Sequence, residues 1–121
     1  VIFCLRGMKT EAGNPHRNLV DFAHIPVVKR LTRMPVCIDP SHSVGIRDKA
    51  PDGMSDIVHA AAQGVIAGAN MVLADFHPNP EKALVDGPQA LMPKDLPRFL
   101  EDIELCHHTY QKRREIYARD N

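Results

Sequence analysis

The chain has 121 residues and 13.5 kDa, with 15 lysines and arginines balanced by 15 aspartates and glutamates. That balance excludes the basic excess of a nucleic-acid-binding domain, and 44% hydrophobic with 25% charged residues excludes wholesale disorder. No apolar run reaches the roughly 18 residues of a membrane span. The three cysteines, Cys4, Cys37 and Cys106, are too sparse for a disulfide framework or a CxxC metal site, so a reducing, cytoplasmic setting is expected.

Val1 to Leu5 is an apolar run that predicts a buried strand, ending in Arg6-Gly7. A polar stretch follows to Asn18. Residues 19–32 are mostly apolar, and Pro26 is best placed as the first residue of a short helix ending near Leu31. Pro35 to Asp39 predicts a second strand. Pro40 to Gly53, rich in Pro, Gly, Ser and Asp, predicts a long loop. Residues 54–69 carry Val58, Ala61, Ala62, Val65, Ile66 and Ala69 at helical spacing, with Asp52 or Ser55 as N-cap. Asn70 to Asp75 predicts a third strand, and a loop with four prolines runs from His77 to Pro93. The last helix is predicted from Asp95 to Arg119, with Leu96, Phe99, Leu100, Ile103, His107 and Tyr110 on its apolar face and Cys106 off it.

The order β-α-β-α-β-α, with near-continuous apolar strands, predicts an α/β fold around a parallel sheet covered on both faces. Ligands in such folds sit at the carboxyl ends of the strands. Arg6, His42, Asp75 and Asp86 are therefore expected on one rim. A (β/α)₈ TIM barrel takes eight strands and about 250 residues, and three strands alone make a poor core. Val1 already lies in a strand pattern, with no initiator methionine or leader before it. The expectation is the C-terminal part of something longer.

Arg6 at a strand mouth can clamp a phosphate or carboxylate bidentately, or be a solvated surface arginine. In Asp39-Pro40-Ser41-His42-Ser43, His42 can ligate a metal while Asp39 orients it or contacts substrate. The bland alternative is a capped turn with a surface histidine. Asp75, His77 and Asp86 offer two carboxylates and an imidazole, a donor set suited to Mn, Fe, Co or Zn, unless the acids are ordinary loop residues. Cys4 and Cys37 read as small buried hydrophobes. His107 and His108 read as structural or surface residues.

The stretches CLRG, RNLVDFAHIPVVKR, MPVCIDPSHSVGIRD and ADFHPNPEKALVDGPQAL occur in this order across about residues 1–93. Together they resemble 3-deoxy-7-phosphoheptulonate (DAHP) synthase, in the branch related to 3-deoxy-8-phosphooctulonate (KDO8P) synthase. DPSHS favours the heptulonate enzyme, while NLVDF and the Val after HS lean toward the octulonate enzyme. The resemblance implies a (β/α)₈ barrel of which this chain supplies strands six to eight. It implies condensation of phosphoenolpyruvate with erythrose 4-phosphate, opening the shikimate route to aromatic amino acids. By the same resemblance Arg6 binds the phosphoenolpyruvate phosphate, and His42 and Asp86 ligate a divalent metal (Mn, Fe, Co or Zn). Asp39 lines the aldose phosphate side, with Ser41 beside it in the substrate site, and Arg6, His42 and Asp39 carry the catalytic roles.

Two departures from the family pattern stand out. The third-strand ligand is usually Glu in VEVHP, and here Asp75 in ADFHP takes that place, one methylene shorter. Metal–ligand distances tolerate only a few tenths of an ångström. The family's strand-one cysteine ligand, its KPR loop and its strand-five lysine are not in this sequence, and Cys4 and Cys37 lie on the wrong strands to replace the ligand.

Three readings follow. The first is a metal-dependent heptulonate synthase, inactive as this chain alone and completed by an N-terminal remainder in the same or a separate chain. Its partners would be phosphoenolpyruvate, erythrose 4-phosphate and further copies in a homodimer or homotetramer, without nucleic acid or membrane. The second keeps the barrel and takes arabinose 5-phosphate. The third is a non-catalytic, degenerate barrel fragment acting as a binding or regulatory subunit.

Overall fold

A computed structural model describes residues 1–11 and 15–119, so part of the polar stretch after the first strand lies outside the described residues. Three short strands, β1 (Phe3–Leu5), β2 (Val36–Ile38) and β3 (Met71–Val72), pair in parallel in the order β1-β2-β3. Leu5, Ile38 and Val72 stand in register, as do Cys4, Cys37 and Met71. Four helices connect and cover them: α1 (His24–Thr32), α2 (Pro40–Val44), α3 (Asp56–Ile66) and α4 (Leu96–Ala118). Among the described residues no helix is long and apolar enough to cross a membrane.

The core lies on one face of the sheet. Ile25 of α1 packs with Val36, Ile38 and Ala69, joined by Leu5, Val28 and Val72. A second cluster joins Val44, Ile57, Ala60, Ala61, Leu91 and Phe99, where the ring of Phe76 meets Phe99 edge-on at 5.8 Å. Burying each of Ile25, Ile38 and Ile57 completely contributes about 1.5–3 kcal/mol. Gly64 lets α3 lie directly on β2, because a Cβ there would sit 2.7 Å from Ile38 Cγ1. On the opposite face Cys4, Met71 and Leu73 are exposed, while Cys37 between Cys4 and Met71 is buried.

Several expectations are corrected. The first strand begins at Phe3, and while Leu5 is half-buried, Val1 is 90% exposed and Cys4 is also exposed, because β1 has a single neighbour among the described residues. Only β2 is buried along its whole length. The predicted loop after β2 contains α2, started by Asp39 as N-cap and Pro40 in the first turn. Pro26 lies in the third position of α1, not the first. An N–H is not missed there, since the first turn leaves its donors unpaired in any case. Ser55 rather than Asp52 caps α3, its Oγ accepting from the Val58 N–H at 3.3 Å. The third strand stops at Val72. Beyond it the Asp75 N–H donates to Ser41 Oγ at 2.9 Å and the Asp75 carbonyl accepts from Leu91 N at 2.8 Å, so its backbone is paired outside the β2 ladder.

On α4 the buried residues are Phe99 and Cys106, while Leu96, Leu100 and His107 are exposed. Cys106 is thus on the packed face, and burial together with the nearby Asp102 carboxylate raises its thiol pKa. Tyr110 packs against Gly68, and Arg113 donates to the carbonyl of Ile66 at the end of α3.

Candidate functional site

The carboxyl ends of the three strands place their chemistry together. Asp39 ends β2 and is fully buried. Its Oδ1 accepts the His42 backbone N–H at 3.0 Å, capping α2, and its Oδ2 lies 2.7 Å from His42 Nδ1. Arg6, just past β1, reaches the same Oδ2 with Nε at 3.4 Å while its side chain remains 59% exposed. The Asp39 bond turns the imidazole so that Nε2 faces two further carboxylates. Asp86 Oδ2 is 3.3 Å away and Asp75 Oδ2 is 3.7 Å away. One donor atom from each of His42, Asp75 and Asp86 falls within 4.8 Å of the others.

Local structure explains how the loop acids arrive. Ser41 Oγ, fully buried, holds the Asp75 backbone. Asp86 sits at φ 55°, in the left-handed region that Asp tolerates better than most residues. Gly87 follows because a Cβ there would lie 2.4 Å from the Pro80 carbonyl oxygen. The Arg47 guanidinium donates to the carbonyls of Gly87 and Ala90, fastening this turn to the chain after α2.

The structure therefore assembles Arg6, Asp39, His42, Asp75 and Asp86. Ser41 touches the Asp75 backbone within the fold. His77 stands apart, its Nδ1 accepting from the Asn79 N–H at 2.9 Å. Three polar side chains in the quoted motifs had no role read from the sequence. Asn18 donates its amide to the carbonyls of Arg6 and His42, at 3.3 and 3.2 Å, linking two strand mouths. Arg17 Nη1 lies 3.7 Å from Asp86 Oδ1. Gln89 is 2% exposed and donates Nε2–H to Asp75 Oδ2 at 2.7 Å. Asn18 and Arg17 stand in RNLVDF and Gln89 in DGPQ, so their positions were visible but their contacts were not.

Cys37 lies beside Cys4 behind this rim. Burial, followed by the neighbouring Cys4, pushes its thiol up from 9.0 to about 12. It is a packing residue rather than a thiolate ligand.

A parallel sheet with a histidine and two carboxylates gathered at its carboxyl ends, beside an exposed arginine, defines an α/β protein with a candidate metal centre for an anionic ligand. The chain belongs to the DAHP synthetase I family, which it matches over residues 1–111. It is similar to a phospho-2-dehydro-3-deoxyheptonate aldolase of Thermotoga maritima, 34% identical over 91 residues, covering 75% of this chain and 25% of that protein. It is also similar to a 2-dehydro-3-deoxyphosphooctonate aldolase of Legionella pneumophila, 29% identical over 116 residues, covering 93% of this chain and 41% of that one. Among solved structures, the T. maritima phospho-2-dehydro-3-deoxyheptonate aldolase (DAHP synthase) superposes with a TM-score of 0.74 at 30% identity. That match covers 85% of this chain and 28% of the other. The chain thus spans about a quarter to two fifths of the length of these relatives.

Proposed function

We propose that this chain is the C-terminal part, strands six to eight, of a (β/α)₈ barrel. That barrel would condense phosphoenolpyruvate with erythrose 4-phosphate to give 3-deoxy-D-arabino-heptulosonate 7-phosphate and phosphate. The observation that carries the reading is the His42, Asp75 and Asp86 cluster at the strand ends of a segment that matches the family. The barrel is supported by the exposed Cys4, Met71 and Leu73 on the second face of the sheet and by β1 and β3, each with one neighbour among the described residues.

The donor set fits a divalent metal: one imidazole nitrogen and two carboxylates suit Mn, Fe, Co or Zn. Asp39 completes the arrangement, since a histidine ligand ordinarily gives its other ring nitrogen to a carboxylate. When bound, such a metal supplies Lewis-acid polarisation of the aldehyde oxygen of the aldose phosphate. The protein side of the chemistry is positioning. The Arg6 guanidinium, with Nε toward Asp39, offers its remaining N–H groups to the phosphoenolpyruvate phosphate. The reacting C3 attacks the aldehyde carbon, water adds at C2, and phosphate leaves. Asp39, shared by Arg6 and His42, ties the phosphate clamp to the metal side, which fixes the distance between the two reactants.

A second reading takes arabinose 5-phosphate, favoured by the similarity to the 2-dehydro-3-deoxyphosphooctonate aldolase of Legionella pneumophila. The test supplies the full-length protein with Mn²⁺ or Co²⁺, phosphoenolpyruvate and either sugar phosphate, and identifies the product by mass. A seven-carbon product from erythrose 4-phosphate alone supports the first reading. An eight-carbon product from arabinose 5-phosphate transfers it to the second. No product, and indifference to chelator, overturns both in favour of a non-catalytic barrel.

A further inference from the structure

Gln89 is a buried polar side chain, 2% exposed, that touches the cluster, and its orientation is dictated by chemistry. Arg17 Nη1, at 3.4 Å, can only donate, so the amide oxygen Oε1 must face it. Nε2 therefore faces Asp75 Oδ2, at 2.7 Å, where an ionised carboxylate can only accept. No rotation of the amide satisfies both partners in any other way. The same Asp75 Oδ2 is the oxygen that lies 3.7 Å from His42 Nε2. A carboxylate oxygen has two lone pairs, so the one not taken by Gln89 remains for the cluster. Arg17 then carries the connection onward, with Nη1 3.7 Å from Asp86 Oδ1.

Asp75 is held at three points. Ser41 Oγ fixes its backbone N–H, Leu91 N fixes its carbonyl, and Gln89 fixes its carboxylate. Gln89 is in turn carried by the turn that Arg47 fastens through the Gly87 and Ala90 carbonyls. A short aspartate offers few rotamers, so a buried donor at fixed distance selects which lone pair it presents.

We propose that Gln89 is a positioning residue of the metal cluster: with its amide oxygen held by Arg17, its amide NH₂ fixes the Asp75 carboxylate toward His42. The inference rests on the reading of His42, Asp75 and Asp86 as a metal centre. Groups that orient a ligand typically change metal affinity by about 10–100-fold when removed.

The test is a Co²⁺ titration of the full-length protein, followed by calorimetry and by the visible absorption of the bound ion. Four forms are compared: wild type, Gln89→Met, Asp75→Ala and the double variant. Gln89→Met keeps the buried volume and removes the donor. It is expected to weaken Co²⁺ by about 10-fold or more and to alter the absorption bands. In the Asp75→Ala background it is expected to cost nothing further, since the residue it acts through is gone. Unchanged affinity and spectrum in Gln89→Met, with wild type binding normally, overturn the inference alone. An equal loss with and without Asp75 also overturns it, because a general packing defect is additive. No Co²⁺ binding by wild type overturns the metal reading and the inference with it. Should Gln89→Met not fold, the wild type decides. Zn²⁺ is expected to shift the ¹⁵N and ¹H resonances of the Gln89 side-chain amide, and an unmoved amide in Zn²⁺-bound protein refutes the role.

Discussion

Replacing Asp39 with asparagine separates two tasks that its carboxylate performs at once. The first is capping α2, where Oδ1 accepts the His42 N–H at 3.0 Å. Asparagine caps a helix about as well as aspartate, so this task survives. The second is orienting His42, where Oδ2 lies 2.7 Å from Nδ1. With the amide oxygen retained by the cap, the NH₂ group occupies the Oδ2 position and faces Nδ1. Two donors cannot face each other, so the neutral imidazole moves its proton to Nε2. That is the nitrogen that looks toward Asp75 and Asp86, and a protonated nitrogen cannot ligate. Metal affinity is expected to fall about 10–100-fold, or about 1.4–2.8 kcal/mol. Arg6 Nε also meets a donor where it had an acceptor, so the arginine swings away from Asp39. Calorimetric titration with Co²⁺ near neutral pH, alongside thermal unfolding, measures both effects. Unchanged affinity in a folded Asp39→Asn protein would refute the argument that Asp39 sets the tautomer of His42.

Asp75→Glu restores the longer acid found at this place in the family pattern and is expected to keep or raise metal affinity; a collapse in a metal titration would mean that Ser41 and Gln89 have fitted the site to the shorter side chain. Arg6→Ala is expected to weaken phosphoenolpyruvate binding while leaving metal affinity largely intact, and unchanged binding by calorimetry would remove Arg6 from the substrate site. Gly64→Ala places a Cβ 2.7 Å from the stiff, fully buried Ile38; overpacking costs about 1–3 kcal/mol and better helix propensity returns at most about 1. Urea unfolding should therefore show net destabilisation, and a more stable variant would refute the close packing of α3 on β2. Iodoacetamide at mildly alkaline pH is expected to label exposed Cys4 and spare buried Cys37, a pattern read by peptide mass spectrometry. Because the Cys37 pKa is raised from 9.0 to about 12, its contribution to stability is fully present below about pH 9 and is lost as pH rises toward 12. Cys37→Ala should accordingly flatten the fall in unfolding free energy across that window, and an unaltered slope would show that the thiol ionises as freely in the folded protein.

The sequence by itself determined the alternation of strands and helices. Apolar runs such as Val36–Ile38 and the Ala-rich spacing of α3 depend on residues near one another in the chain. It also marked Arg6 and Asp39, the polar residues directly after β1 and β2, because they follow apolar runs, while Asp75 lies three residues past the end of β3. It did not reveal α2, although the Asp-Pro pair of cap and first turn was legible, because the Pro, Gly and Ser content pointed to a loop. It misjudged β1 and the packed face of α4, because burial depends on which neighbours are present. Phe3 stands on a strand with one partner among the described residues, and Cys106 is buried on α4, the helix that packs against α3.

Only the tertiary structure decided the roles inside the cluster. Asp39 and His42 are three residues apart, and a local motif brings them together. Asp86 reaches His42 from 44 residues away, and Gln89 reaches Arg17 across 72. Contacts of that range leave no periodicity in the chain. They are set by the parallel sheet, which brings the ends of β1, β2 and β3 to one side, and by buried hydrogen bonds, which must be satisfied once the loops after them are drawn inward.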